Sequence, residues 1–100
     1  MPLPVSQLAA EDIRNILQYT LEQWGEEQME KYAATLENAF HRIEDNPHLG
    51  RSREDLYRGC RSLRVGQHIV YYTAREDRLI IARVLHSKMD ARRHIQTEEI

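Results

Sequence analysis

The sequence holds a single cysteine, Cys60, so an internal disulfide is excluded, and no partner thiol stands at the spacing of a zinc ligand set. A buried or half-buried thiol in a reducing compartment is expected. No apolar run approaches the roughly 18 residues that a membrane helix needs. The opening MPLPVSQL has neither the basic start nor the apolar stretch of a secretory signal. A cytoplasmic protein without membrane contact follows. GxGxxG, GxxxxGK[ST] and GxSxG are all missing, and Gly50-Arg51-Ser52-Arg53 offers one glycine where a phosphate cradle needs a nest of amides. Five histidines are present, but none forms an HxxxH or HExxH pair, so neither a metal nor a cofactor is expected.

Lysine is scarce too. Of fourteen basic residues only Lys31 and Lys88 are lysine, which leaves twelve arginines, the side chain suited to planar contacts with carboxylate or phosphate. The net charge of -2 hides an asymmetry. Residues 1–50 carry nine acids and three bases, whereas residues 51–100 carry seven acids and eleven bases. The second half therefore presents a basic face to an acidic partner or a nucleic-acid backbone, or carries local ion pairs on a solvated surface.

One hundred residues with 41% hydrophobic side chains make one domain, residues 1–100, with a modest core. Leu3 and Val5, flanked by Pro2 and Pro4, read as a brief edge strand, and Ser6 as a helix cap. Ile13, Ile16, Leu17, Thr20, Leu21 and Trp24 then share one face of a helix that Gly25 ends in a left-handed conformation. Glu26, Glu27 and Glu30 load the opening of a second helix, whose apolar stripe includes Met29, Tyr32, Leu36, Phe40 and Ile43. Asp45-Asn46-Pro47 breaks it. So short a joint makes the helices an antiparallel hairpin, with Trp24 packing against Leu36 and Phe40.

A loop from His48 to about Asp55 follows, and then the period changes to two. Arg61, Leu63 and Val65 alternate with Cys60, Ser62 and Arg64, and Gly66-Gln67 is a two-residue type II′ connection with glycine first. His68–Thr73 is the next strand. Leu79–Leu85, apolar except for Arg83, is expected to be buried on both faces. Residues 88–100 form a short helix or a loose tail. The fold class is α+β, in the order β-α-α-β-β-β. Two helices cover one sheet face, which leaves the other exposed or covered by a partner.

Only one constellation carries chemistry. Arg61 and Arg64 on one strand, with Arg83 and His86 on another, place guanidinium groups near a titratable imidazole. Arginine stabilising a phosphorane and histidine moving a proton would cleave RNA, and Arg61, Arg83 and His86 are the candidates. The competing reading pairs Arg61 and Arg83 with buried acids or with a partner's carboxylates; no base of the chain's own is evident beside them. Tyr71 and Tyr72 read as packing residues.

Gly50-Arg51-x-Arg53-x-x-Leu56-Tyr57-x-Gly59-x-Arg61-Ser62, then Val65-Gly66-Gln67-His68-Ile69-Val70-Tyr71-Tyr72, then Arg83-Val84-Leu85-His86-Ser87-x-Met89-Asp90, resemble the ParE branch of the ParE/RelE toxins. Asp12-Ile13-x-x-Ile16, Trp24-Gly25 and Asn46-Pro47-x-x-Gly50 match as well, so the likeness spans about residues 3–95. The resemblance implies a helical hairpin on an antiparallel sheet and a toxin that is not itself an enzyme. It implies that DNA gyrase is held in its cleaved DNA complex, without direct sequence-specific nucleic-acid binding. It also implies a ParD-like antitoxin that wraps the toxin, fills apolar grooves and sets its acids against Arg61, Arg64, Arg83, His86, Lys88, Arg92 and Arg93. The alternatives are a RelE-like ribosome-dependent mRNA endonuclease, disfavoured because no tyrosine follows Tyr72, and a degenerate toxin that only binds its antitoxin.

Overall fold

In a computed structural model, residues 3–95 are described. Two long helices, α1 (Gln7–Trp24) and α2 (Glu26–Asp45), precede four strands and a short helix. The strands are β1 (Arg51–Ser52), β2 (Cys60–Val65), β3 (His68–Arg75) and β4 (Arg78–His86), antiparallel in chain order, and α3 is Ala91–His94. Among the described residues, no helix is long and apolar enough to cross a membrane.

The caps follow from side-chain chemistry. Ser6 Oγ accepts the Ala9 amide at 3.0 Å and donates to the Ala82 carbonyl at 2.7 Å, so it starts α1 and ties it to β4 at once. Gly25, with φ +94° and ψ 173°, reverses the chain between the helices. Its φ is positive as expected, but its ψ is extended, not that of a left-handed cap. Gly66, at φ +58°, leads the turn that joins β2 to β3, and Gln67 is not in positive φ, the signature of a type II′ turn.

The N-terminal edge strand is reduced to one parallel bridge between Val5 and Ile81, in which Ile81 N–H donates to the Pro4 carbonyl and Ser6 N–H to the Ile81 carbonyl. Ser6 turns the chain into α1 before a ladder can extend. The fourth strand comes instead from Arg51 and Ser52, inside the segment expected to be loop, which pair with Ser62 and Arg61.

β4 contains a bulge. Tyr72 pairs with Ile81 and Tyr71 with Arg83, so Ala82 has no opposite residue. Ile81 and Val84 can then both face the helices, where they meet Ala9, Leu36, Ala39, Ile43, Val70 and Tyr72 in the main core. Arg83 is thrown to the opposite face. Without the extra residue the register would drive its guanidinium into the apolar core, at a prohibitive desolvation cost.

The face away from the hairpin was expected to be bare or covered by a partner. The chain covers part of it itself: Tyr57, Cys60, Tyr71, Leu85, Ala91 and Ile95 form a second small core. Burial on both faces of β4, with Ile81, Ala82, Val84 and Leu85 all buried, is as expected. Cys60 is fully buried, and burial raises its pKa to about 11, which leaves an inert thiol.

Candidate functional site

The structure does not assemble the arginine–histidine constellation. Arg61 pairs with Tyr72 on the helix-facing side, whereas Arg83 pairs with Tyr71 on the other. Arg61 Nη1 donates to the Gly50 carbonyl at 2.6 Å, and Tyr72 Oη accepts the Gly50 amide at 2.7 Å while donating to the Pro47 carbonyl at 2.8 Å. Both side chains hold the loop after α2.

Arg83 has the carboxylate that the sequence did not reveal. Its Nε and Nη2 donate to Asp12 Oδ2 and Oδ1 at 2.8 and 3.0 Å, and Nη1 donates to the His94 carbonyl at 2.6 Å. Asp12 Oδ2 also accepts the Val84 amide at 3.0 Å, closing the open edge of β4. Both side chains are only 14% exposed. Such a bidentate pair fastens α1, β4 and α3 together.

The remaining candidates lie nearer the surface. Arg64 is exposed and donates to the Gly66 carbonyl, and Lys88 is exposed just beyond β4. Arg92 reaches Asp55 at 3.0 Å, where Arg53 also binds, and the Arg53 hydrogen bond is the main reason that the Asp55 carboxyl sits below its ordinary range. Arg93 is 84% exposed, with a 3.9 Å approach to Asp90. These cations are spread over the surface, not gathered at one point.

His86 belongs to a different cluster. The bulge in β4 sets it opposite His68, with the rings edge to face and 5.4 Å apart. Tyr32 of α2 approaches His68 Nδ1 to 2.6 Å and donates to the Val65 carbonyl at 3.0 Å. Burial raises the Tyr32 pKa and, with a smaller contribution from His86, lowers that of His68. These rings floor a cavity of about 680 Å³ between the joined end of the hairpin, beside Gly25, and the sheet. Its wall includes Ile16, Tyr19 and Trp24 of α1, and is mostly apolar. Tyr19 and Trp24 are 61% and 71% exposed, so Trp24 does not pack against Leu36 and Phe40 as its helical phase predicted.

The sequence reading missed Tyr32, His68 and the Trp24 wall as parts of one site. The two-residue turn places His68 beside Val65, but only the bulge brings His86 to the same end and face. Among the described residues, no group of three or more histidine, cysteine, aspartate or glutamate side chains is gathered for a metal.

Comparison with known proteins places this architecture. Residues 3–91 match the family model described as the ParE toxin of the type II toxin–antitoxin system parDE. Toxin ParE1 of Caulobacter vibrioides is 36% identical over 94 residues, covering 94% of this chain and 97% of that protein. Toxin ParE1 of Mycobacterium tuberculosis is 33% identical over 92 residues, 91% of this chain and 94% of its own. A solved structure titled as the chromosomal ParDE system from P. aeruginosa superposes with a TM-score of 0.72 at 18% identity, covering 86% of this chain and 95% of that one, a likeness of fold. With a family model spanning nearly all described residues and full-length relatives above 30% identity, the chain belongs to the ParE toxins of parDE-type toxin–antitoxin systems.

Proposed function

We propose that this toxin acts by stabilising the cleaved DNA complex of gyrase and is neutralised by a ParD-like antitoxin seated in the apolar groove beside Tyr19 and Trp24. The observation that carries the gyrase reading is the dispersal of the nuclease candidates. Arg61 and Arg83 stand on opposite sheet faces, each engaged within the fold, and His86 faces the hairpin beside His68. General acid–base cleavage needs a proton donor or acceptor and a charge stabiliser within hydrogen-bond reach of one phosphate. This set offers no such point, which supports a toxin that works by binding and is not itself an enzyme.

The antitoxin seat is supported by two aromatic side chains left in solvent around a concave apolar wall, the arrangement that makes binding hot spots. Arg64, Lys88, Arg92 and Arg93, exposed elsewhere on the surface, would meet the antitoxin's acids. Arg61 and Arg83 would act indirectly, by holding the surfaces on which it lies.

Purified toxin added to gyrase and supercoiled plasmid should accumulate cleaved DNA, and should leave ribosome-bound mRNA intact. Codon-specific cuts in mRNA that disappear in His86→Ala would overturn the gyrase reading in favour of the endonuclease.

A further inference from the structure

Tyr32, His68 and His86 form a titratable cluster on the floor of the groove. Each imidazole is anchored through Nδ1. His86 Nδ1 accepts the Lys88 amide at 3.1 Å, so the neutral ring carries its proton on Nε2. Tyr32 has one hydroxyl proton, and the Val65 carbonyl can only accept it. The 2.6 Å contact is then a donation from His68 Nδ1–H to the Tyr32 oxygen, which leaves His68 Nε2 as a bare acceptor. Among the described residues, neither Nε2 has a hydrogen-bond partner.

No carboxylate among the described residues faces the pair to offset a positive charge. Facing the pair, α1 supplies Tyr19 as its one ionisable group, α2 supplies Tyr32, and the β2–β3 turn supplies the neutral Gln67. Among the described residues, no aspartate, glutamate, lysine or arginine lines the cavity. A proton added to His86 Nδ1 would confront the Lys88 amide. A proton added to His68 would create an imidazolium with its ring centre 5.4 Å from that of His86, on an apolar floor. Covering that floor with an apolar segment removes the last solvent available to the charge and raises its cost.

We propose that Tyr32, His68 and His86 are a proton-operated latch on the groove: an apolar partner segment seats on the neutral pair and is released when the pair is protonated. The inference rests on the groove being the antitoxin's seat. Its sign follows from linkage. The bound state binds fewer protons than the free state, so affinity is full above the free-state titration of the pair and falls as pH drops through it.

The test uses the intact toxin and its cognate antitoxin. Trp24 is the only tryptophan and lines the same cavity, so its emission, quenched by a nearby imidazolium, reports the titration in the free toxin. Between about pH 8 and about pH 5 the emission should titrate with a midpoint below that of a free histidine. His68→Asn should abolish that step, and His86→Asn should move it to higher pH by removing the neighbouring ring. Over the same range antitoxin affinity should fall at least about tenfold for the wild type and stay nearly flat for His68→Asn, with melting curves at both ends confirming that each protein is folded. If His68→Asn does not fold, the upward shift in His86→Asn, in emission and in affinity together, decides the matter. Wild-type affinity that is flat across the range, or as steep in His68→Asn, overturns the latch. Trp24→Ala separates the two ideas. If it destroys binding while wild-type affinity is flat with pH, the groove is the seat and the latch is wrong. If it binds like the wild type at both ends, the seat itself is wrong and the latch falls with it.

Discussion

At one end of the helical hairpin, Ala9 of α1 and Ile43 of α2 are fully buried against the sheet, and Leu36 and Ala39 of α2 are nearly so. At the other end, Tyr19 and Trp24 lie on the same two-helix scaffold but remain 61% and 71% exposed. Both ends are apolar in sequence. They differ in what stands opposite: Ile81 and Val84 fill the first, whereas His68, His86 and Gln67 leave a cavity at the second. An apolar helix face therefore marks a surface that needs covering, and only the opposite element decides whether the chain covers it.

The largest expected effect is at the packed end. Leu36 is 2% exposed, and truncating a buried leucine costs about 2–5 kcal/mol, a large part of the roughly 5–15 kcal/mol of a domain. Leu36→Ala should lose toxicity by unfolding, seen as a large fall in melting temperature. An unchanged melting temperature would show that this end is not the packed one.

Arg83→Ala comes next. It leaves Asp12 without its guanidinium, and removing one partner of a buried pair costs about 3–5 kcal/mol, with the lower end apt here because each side chain keeps 14% exposure. From the sequence alone, Arg83 was a surface contact for the antitoxin; the Asp12 pair makes its loss a defect of folding. Denaturant unfolding of Arg83→Ala and Asp12→Asn checks this, and the Arg83→Ala protein should be destabilised before any partner is added.

Trp24→Ala should invert the pattern of Leu36→Ala. Exposed side chains away from core and caps shift stability by about 0.5 kcal/mol or less, so its melting curve should nearly overlie the wild type. Antitoxin affinity should nevertheless drop at least about tenfold, the scale of a hot-spot aromatic. Calorimetric titration of the two proteins separates the contributions.

Acid should weaken the toxin modestly through His68. Its folded pKa is depressed, chiefly by burial and also by His86, so the unfolded chain takes up the proton first as pH falls. His68 therefore imposes no penalty well above the ordinary imidazole value near 6.5, and a growing one as pH falls from there through the folded pKa. On acidification the melting temperature of the wild type should fall more than that of His68→Asn. The smallest effect is reserved for Arg78→Ala at the exposed start of β4, within about 0.5 kcal/mol and silent in antitoxin binding.

Much of this was legible in the residues. Ser6 as cap, Gly25 and Pro47 as limits of the helices, and Gly66-Gln67 as a two-residue turn are local chemistry, governed by φ preferences and by hydrogen bonds within a few residues. The period-two pattern of residues 60–65 and the apolar run of 79–85 fixed where two of the long strands lie. The family resemblance was equally readable, because it rests on the order of many short motifs.

What the sequence could not supply depends on register and distance. A perfect ladder from Arg75–Arg78 onward would place Arg83 in the core and take His86 out of register with His68; one unpaired residue, Ala82, reverses both. Asp12 and Arg83 are 71 positions apart, and nothing local announces their bond. The chain's own cover on the far face was likewise invisible, because Ala91 and Ile95 gain a role only when α3 folds back on Tyr57 and Leu85. The sequence by itself determined the elements, their limits and the family, since those follow from short-range sterics and periodicity. The tertiary structure decided which arginines are bound within the fold and which histidines meet, because a side chain's face changes with a single step in β-sheet register.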